Sequence, residues 1–132
     1  MIAALTLLKA AYIDSCLEIQ IFQNSDLSNS AIKSICVLSF GVKLWYLGEK
    51  IHREDGPAKE WPNGVLEYWQ NDEMHRIDGP AGIYPDQNLL YWRLHGAAYS
   101  FNEWARVVGI SGAEKTKLIL QYNITEFESA YG

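Results

Sequence analysis

Apolar and polar positions alternate in short bursts through the middle of this 132-residue chain, and the bursts recur. Leu-Trp-Tyr-Leu at 44–47 gives way to Gly-Glu-Lys, Leu-Glu-Tyr-Trp at 66–69 to Gln-Asn-Asp-Glu, and Leu-Leu-Tyr-Trp at 89–92 to Arg-Leu-His-Gly. Aromatic and branched runs this short, bounded by Gly, Asn and Asp, predict strands joined by tight turns. The first two units continue into a strand carrying His and Arg, then an Asp-Gly-Pro break, then strand-like Ala-Lys-Glu-Trp at 58–61 or Ala-Gly-Ile-Tyr at 81–84. Gly56 and Gly79 can take backbone angles that other residues take only at a cost, and Pro57 and Pro80 disfavour helix at the residue before them. Pro-Asn-Gly at 62–64 is a strong reversal signal, and Pro-Asp-Gln-Asn at 85–88, lacking the Gly, a weaker one. The pattern predicts an antiparallel meander of about five or six strands.

The flanks follow other patterns. Residues 2–12 are predicted as a helix, Cys-Leu-Glu-Ile-Gln-Ile-Phe at 16–22 alternates like a strand, and the apolar run at 31–40 fits either. Ser100-Phe101-Asn102-Glu103 has the S-x-x-E form of a helix capping box, so a helix is expected from about Phe101 to near Gly109, burying Trp104 and Val107 or Val108. Residues 112–123 are expected to form a second helix. The expected fold is α+β, one domain over 1–132: an N-terminal helix and strand flank (1–42), the repeat meander (43–104) and a C-terminal helical cap (101–132).

The repeat is explicit in one phrase. His52-Arg53-Glu54-Asp55-Gly56-Pro57-Ala58 returns as His75-Arg76-Ile77-Asp78-Gly79-Pro80-Ala81. Aligning on it gives units 43–65 and 66–88, with a third beginning at 89 that keeps the aromatic pair and loses the phrase. An atypical last copy is how repeat arrays are capped. The phrase, with the Trp/Tyr pair before it, resembles a family of short repeats found in bacteriophage and giant-virus proteins. Tyr99-Ser100-x-x-Glu103-Trp104 resembles the helix start that often ends such arrays. Period and turn glycines are also similar to MORN-type repeats, which build single-layer β-meanders. The resemblance covers residues 43–104 and implies a fold style and a viral or mobile-element origin; it implies no reaction. The third unit departs from it at Leu94-His95-Gly96, after which no His-Arg-x-Asp follows.

Composition narrows the function. The net charge is −5, and residues 43–104 carry most of the acidic excess, which argues against direct binding of nucleic acid. Cys16 and Cys36 show no metal-ligand or CxxC spacing and read as reduced thiols of a cytoplasmic protein. No run is long enough to span a membrane, and Lys9 interrupts the apolar opening that faintly resembles a signal peptide. There is no Gly-rich phosphate loop, no G-x-S-x-G and no candidate Cys nucleophile, so no catalytic residue, cofactor or metal is assigned.

The phrase itself weighs toward scaffolding. His-x-x-Asp could hold a metal or act as an acid–base pair, but catalysis needs one unique constellation and this one is duplicated together with its turn residues. Arg53 with Asp55, and Arg76 with Asp78, are expected to pair beside the Gly-Pro turn. His52 and His75 are expected to bond backbone carbonyls. Gly56, Pro57, Gly79 and Pro80 complete the structural set.

Adjacent aromatics on a strand face opposite ways, so stacked units should carry Trp45, Tyr68 and Tyr91 on one face and Tyr46, Trp69 and Trp92 on the other. One or both rows are expected as core under the helices, and the sequence leaves open which row is exposed. The row Tyr46-Trp69-Trp92, with Glu49, Glu54, Asp72 and Glu73, is taken as the candidate partner-binding set. The leading reading is a non-enzymatic module that binds, and as a viral protein inhibits, a host protein such as a defence nuclease in the host cytoplasm. One alternative is a small-ligand or nucleotide sponge using exposed rings. The other is a structural or assembly protein that self-associates through a sheet edge.

Overall fold

A computed structural model describes residues 16–22, 33–38 and 40–125. The fold is α+β: a mostly antiparallel sheet and two helices. In chain order the strands are β1 (Cys16–Phe22), β2 (Lys33–Leu38), β3 (Lys43–Leu47), β4 (Lys50–Ile51), β5 (Lys59–Glu60), β6 (Leu66–Glu67), β7 (Trp69–Gln70), β8 (Glu73–Met74), β9 (Gly82–Tyr84), β10 (Leu89–Leu94) and β11 (Ala97–Tyr99). Helices α1 (Phe101–Val108) and α2 (Gly112–Tyr122) follow. The main sheet runs β1-β2-β3-β5-β6-β9-β10-β11, with β4 beside β3, while β7 and β8 form a separate hairpin. The expected helix at 2–12 lies outside the described residues, and the ambiguous run at 31–40 contains strand β2.

The strands are short because the His-Arg-x-Asp-Gly-Pro phrase interrupts them; it is a bend, not the strand the alternation predicts. Each long strand therefore works in two halves. Its first half pairs within the main sheet, and its second half turns back as a hairpin: β3–β4, β7–β8 and β10–β11. Two of these hairpins turn through left-handed pairs, Asn71 (φ 50°) with Asp72 (φ 66°), and His95 (φ 48°) with Gly96 (φ 82°). Positive φ at both central positions is what the right-handed twist of the flanking strands selects.

One cross-strand row explains the Ala that ends the phrase. Trp45 N–H donates to Ala58 O, Ala58 N–H to Glu67 O, Tyr68 N–H to Ala81 O and Ala81 N–H to Tyr91 O. Rings and alanines thus alternate along the row Trp45, Ala58, Tyr68, Ala81, Trp92, and both alanines are fully buried between them. A larger residue at 58 or 81 has no room.

The hydrogen bonds also correct the 23-residue alignment beyond residue 88. Arg53 N–H donates to Trp69 O, but Arg76 N–H donates to Arg93 O, one residue later than a strict 23-residue period places it. Leu66 and Leu90 flank the same residue, Ile83. The extra residue sits in the turn Pro85–Gln87, a short 3-10 helix closed by left-handed Asn88 (φ 50°), where the preceding turn closes with Gly64 (φ 91°). This is the turn whose reversal signal is weak. The helix-side row is therefore Trp45, Tyr68, Trp92, and the opposite row is Tyr46, Trp69, Arg93; Tyr91 belongs to the line of Leu44 and Glu67.

The core lies where the helices cover the last unit. Trp92, Phe101, Trp104, Ala105, Leu118 and Ile124 are buried together, with the Trp92 and Trp104 ring centroids 4.7 Å apart. Helix α1 starts on the capping box of Ser100 and Glu103 and ends at Gly109 (φ 82°). It buries Trp104, while Val107 is exposed and Val108 half-buried. Helix α2 uses a second such box, Ser111 with Glu114, written in the sequence as plainly as the first. Cys36 is disulfide-bonded, which corrects its reading as a reduced thiol. Distance along the chain is not distance in space here, since the β1–β2 pairing sets the backbone of Cys16 opposite Leu38, two residues from Cys36. Among the described residues, no helix is long and apolar enough to cross a membrane.

Two outcomes check the packing and the register. Trp92→Ala is expected to cost about 3–5 kcal/mol of stability in urea denaturation, as for a large ring removed from a core. Deleting Gln87 while changing Asn88→Gly restores the shorter turn; the loss is expected to stay below about 1 kcal/mol, because the turn alone absorbs the difference.

Candidate functional site

Each phrase folds around its arginine. Arg53 Nε donates to Asp55 Oδ1 at 2.9 Å and Nη1 to Pro57 O at 3.0 Å; Arg76 Nε donates to Asp78 Oδ1 at 2.7 Å and Nη1 to Pro80 O at 3.1 Å. The planar fork satisfies a carboxylate and a carbonyl at once while its flat face stays free to stack, a geometry that the compact ammonium of lysine lacks. Above the fork, the Arg53 guanidinium carbon lies 4.1 Å from the centroid of the Trp45 ring, and that of Arg76 lies 3.9 Å from Tyr68. These are the distances of cation–π contact. A Cβ at Gly56 would meet the Arg53 guanidinium carbon at 2.9 Å, and one at Gly79 that of Arg76 at 2.7 Å. The glycine of the phrase is thus fixed by close approach, not by a left-handed backbone.

Electrostatics follow from this packing. Burial disfavours the charged form of Arg76, but the Asp78 hydrogen bond and nearby Tyr68 outweigh it, so its affinity for the proton rises. Hydrogen bonding to Arg53 holds the Asp55 carboxyl below the usual range. Burial raises Tyr68, and burial with the Glu67 hydrogen bond raises Tyr84 strongly.

The histidines behave differently from expectation. His52 Nδ1 accepts the Asn71 N–H at 3.1 Å and His75 Nδ1 accepts the His95 N–H at 2.9 Å; neither bond runs to a carbonyl. Among the described residues, no group of three His, Cys, Asp or Glu is placed to hold a metal ion.

The candidate binding set is not brought together as one row. Tyr46 and Trp92 are buried, each 3% exposed, and so present no surface. Trp69 is half-buried, its indole N–H donating to Glu67 Oε1 at 3.0 Å and its ring lying under Lys59 Nζ at 4.3 Å. The acidic members differ from the rings in being exposed. Glu49 and Asp72 stand at hairpin tips, Glu73 follows its tip, and Glu54 stands in the first phrase loop, all exposed. Asp55 and Asp78, assigned to structure from the sequence, join them, with side chains 87% and 80% exposed. Between the two phrase loops lies a cleft of about 520 Å³, lined by Arg53, Glu54, Tyr68, Arg76, Ile77 and Asp78. Ile77, which takes the place of Glu54 in the second phrase, is 60% exposed on its rim.

In the last unit an indole replaces the guanidinium. Trp104 of α1 packs on Trp92 and its N–H donates to Arg76 O at 3.0 Å. Comparison with protein-family models, curated proteins and solved structures gives no match.

Arg76→Ala is expected to cost about 2–4 kcal/mol, the sum of its charge-assisted hydrogen bonds and ring contact. Arg76→Lys is expected to restore less than half of this in the same denaturation assay, since it keeps the charge and loses the fork.

Proposed function

We propose that this chain is a non-enzymatic protein-binding module, an array of three repeats of about 23 residues between helical flanks, whose acidic hairpin edge docks on a basic surface of a partner protein. One observation carries the reading. Three cations of the array are turned inward onto rings, while six of its carboxylates are exposed. Lys43 and Lys50 are also exposed, and Glu60 and Glu67 are half-buried, so the exposed charge is mostly negative. The side chains of Arg53, Arg76 and Lys59 are 22%, 15% and 21% exposed, and each lies over an aromatic ring. Glu49, Glu54, Asp55, Asp72, Glu73 and Asp78 are exposed. A surface whose exposed charge is mostly negative steers association with a positively charged partner and disfavours nucleic acid itself.

The resemblance of the phrase to phage and giant-virus repeats supports a viral origin, a host protein as the partner, and inhibition as the effect. A nucleic-acid-binding groove of a defence protein has the matching charge. The compartment in this reading is the host cytoplasm, where a Cys36 disulfide would be reduced; residues 43–104 contain no cysteine. A base-stacking sponge is less well supported, because Trp45 and Tyr68 each already carry a guanidinium on one ring face. The non-enzymatic reading rests on the Arg and His side chains of both phrases being engaged by scaffold backbone groups.

Tagged protein incubated with bacterial lysate is expected to retain one stoichiometric partner at low salt and lose it at high salt. The triple change Glu49→Gln, Glu54→Gln, Glu73→Gln is expected to slow association about tenfold and flatten its salt dependence. A clean lane at low salt, or binding indifferent to the triple change, overturns the reading.

A further inference from the structure

The phrase histidines do what the Arg and Asp beside them do not: each reaches across to the next unit. His52 Nδ1 takes the N–H of Asn71 and His75 Nδ1 takes the N–H of His95. The two donors are equivalent positions. Each is the first residue of the left-handed pair at the tip of the following hairpin, with φ of 50° and 48°. A second bond at each tip completes the junction, Asp72 N–H to Ile51 O and Gly96 N–H to Met74 O, both 2.9 Å. An imidazole thus fastens each hairpin tip to the one before, along the edge where Glu49, Asp72 and Glu73 stand.

An imidazole accepts at Nδ1 only when neutral and carrying its proton on Nε2; once protonated, both nitrogens donate. A proton at Nδ1 would set N–H against N–H, and the junction would open. We propose that His52 and His75 are acid-released latches: neutral, they hold the acidic hairpin edge in register, and protonation frees the tips. As regulation of a docking edge, this rests on the reading proposed above; the latch itself does not.

The charged surroundings are specific. His75 faces His95 from the β10–β11 turn, with ring centroids 4.2 Å apart, and Glu73 from its own hairpin; His95 Nδ1 lies 3.5 Å from Glu73 Oε1. Arg53, Glu54 and Asp55 line the opposite wall of its cleft, with Arg76 and Asp78 beside it. His52 has Glu54 at 3.5 Å from Nε2, Asp72 on the next tip accepting the Ile51 N–H at 2.7 Å, and Lys33, Arg53 and Asp55 around its own cleft. Burial and His95 lower the proton affinity of His75, against the smaller pull of Glu73. The folded protein therefore binds this proton less readily than the unfolded chain, whose ordinary value is 6.5. The stability contribution is complete above that value and is lost as pH falls below it, toward the folded value.

The test uses the protein alone, by imidazole ¹⁵N spectra and amide hydrogen exchange between pH 7.5 and 5. Both rings are expected as the Nε2–H tautomer at pH 7.5. As His75 protonates, protection of the His95 amide is expected to fall at least tenfold and the urea midpoint to drop. His75→Asn, which keeps an acceptor near the same place and does not titrate, should hold that protection and flatten the midpoint. His95→Asn, which removes the stacked ring but keeps the amide donor, should still show the loss. A ring protonated at Nδ1 at pH 7.5, or His95 protection unchanged through the protonation of His75, overturns the latch. A latch that opens while a captured complex survives at the same acid pH overturns its regulatory role; the absence of any captured partner counts against the docking reading only.

Discussion

The structure depends on one arrangement used twice: a guanidinium laid on an aromatic ring and held at its rim by the phrase's own aspartate and proline carbonyl. The phrase cannot pair as a strand, because proline has no N–H and the chain bends at the Gly-Pro step. Left alone, that bend would expose backbone carbonyls beside the sheet with nothing to accept. Arg53 and Arg76 supply the missing donors to Pro57 O and Pro80 O and at the same time cover Trp45 and Tyr68. The remaining phrase residues follow from this. Asp balances the charge, Gly leaves room for the guanidinium, and Ala lets the rings of neighbouring strands close over it.

Register is the second constraint. A one-residue slip within a strand would send every side chain to the other face, so an inserted residue must be absorbed in a turn or it destroys the sheet. It is absorbed at Pro85–Gln87, where a 3-10 turn replaces the tighter Pro-Asn-Gly reversal. Interlocking of successive turns holds this end of the sheet: a Cβ at Gly41 would lie 3.0 Å from Pro62, and one at Gly64 3.5 Å from Pro85.

Much of the repeat was legible because its signals are local. The S-x-x-E cap and the aromatic bursts each state a conformation within a few residues, and a helix and strands stand there. The eleven described strands are more and shorter than the roughly five or six expected, because the phrase is a bend. What was illegible depends on partners distant in the chain. Counting back from the aromatic pair assigns Tyr91 to the helix-side row, whereas Ile83 pairs with Leu90 and puts Trp92 there. The missing Gly in 85–88 was the available clue. The burial of Tyr46 and the disulfide at Cys36 have no local signature at all. The role of the histidines was half legible: their type implied a backbone bond, but not that the next hairpin would supply a donor instead of an acceptor.

The chain after Leu94 shows what stands in place of a third phrase. A third phrase would require another Arg, Asp and Gly after Leu94; the chain instead turns at His95-Gly96 and enters α1. Trp104 then performs both tasks of the absent arginine, covering Trp92 with a ring and donating one N–H to Arg76 O. An indole does this without a counter-ion, so the last unit adds no aspartate to the surface. The two units that do use arginine each bury a positive charge against a ring and leave its aspartate facing water. The outward charge of Asp55 and Asp78 is therefore tied to the device that folds the two phrases. Replacing guanidinium by indole at a junction would remove an outward carboxylate's partner, and with it the reason for the carboxylate to be there.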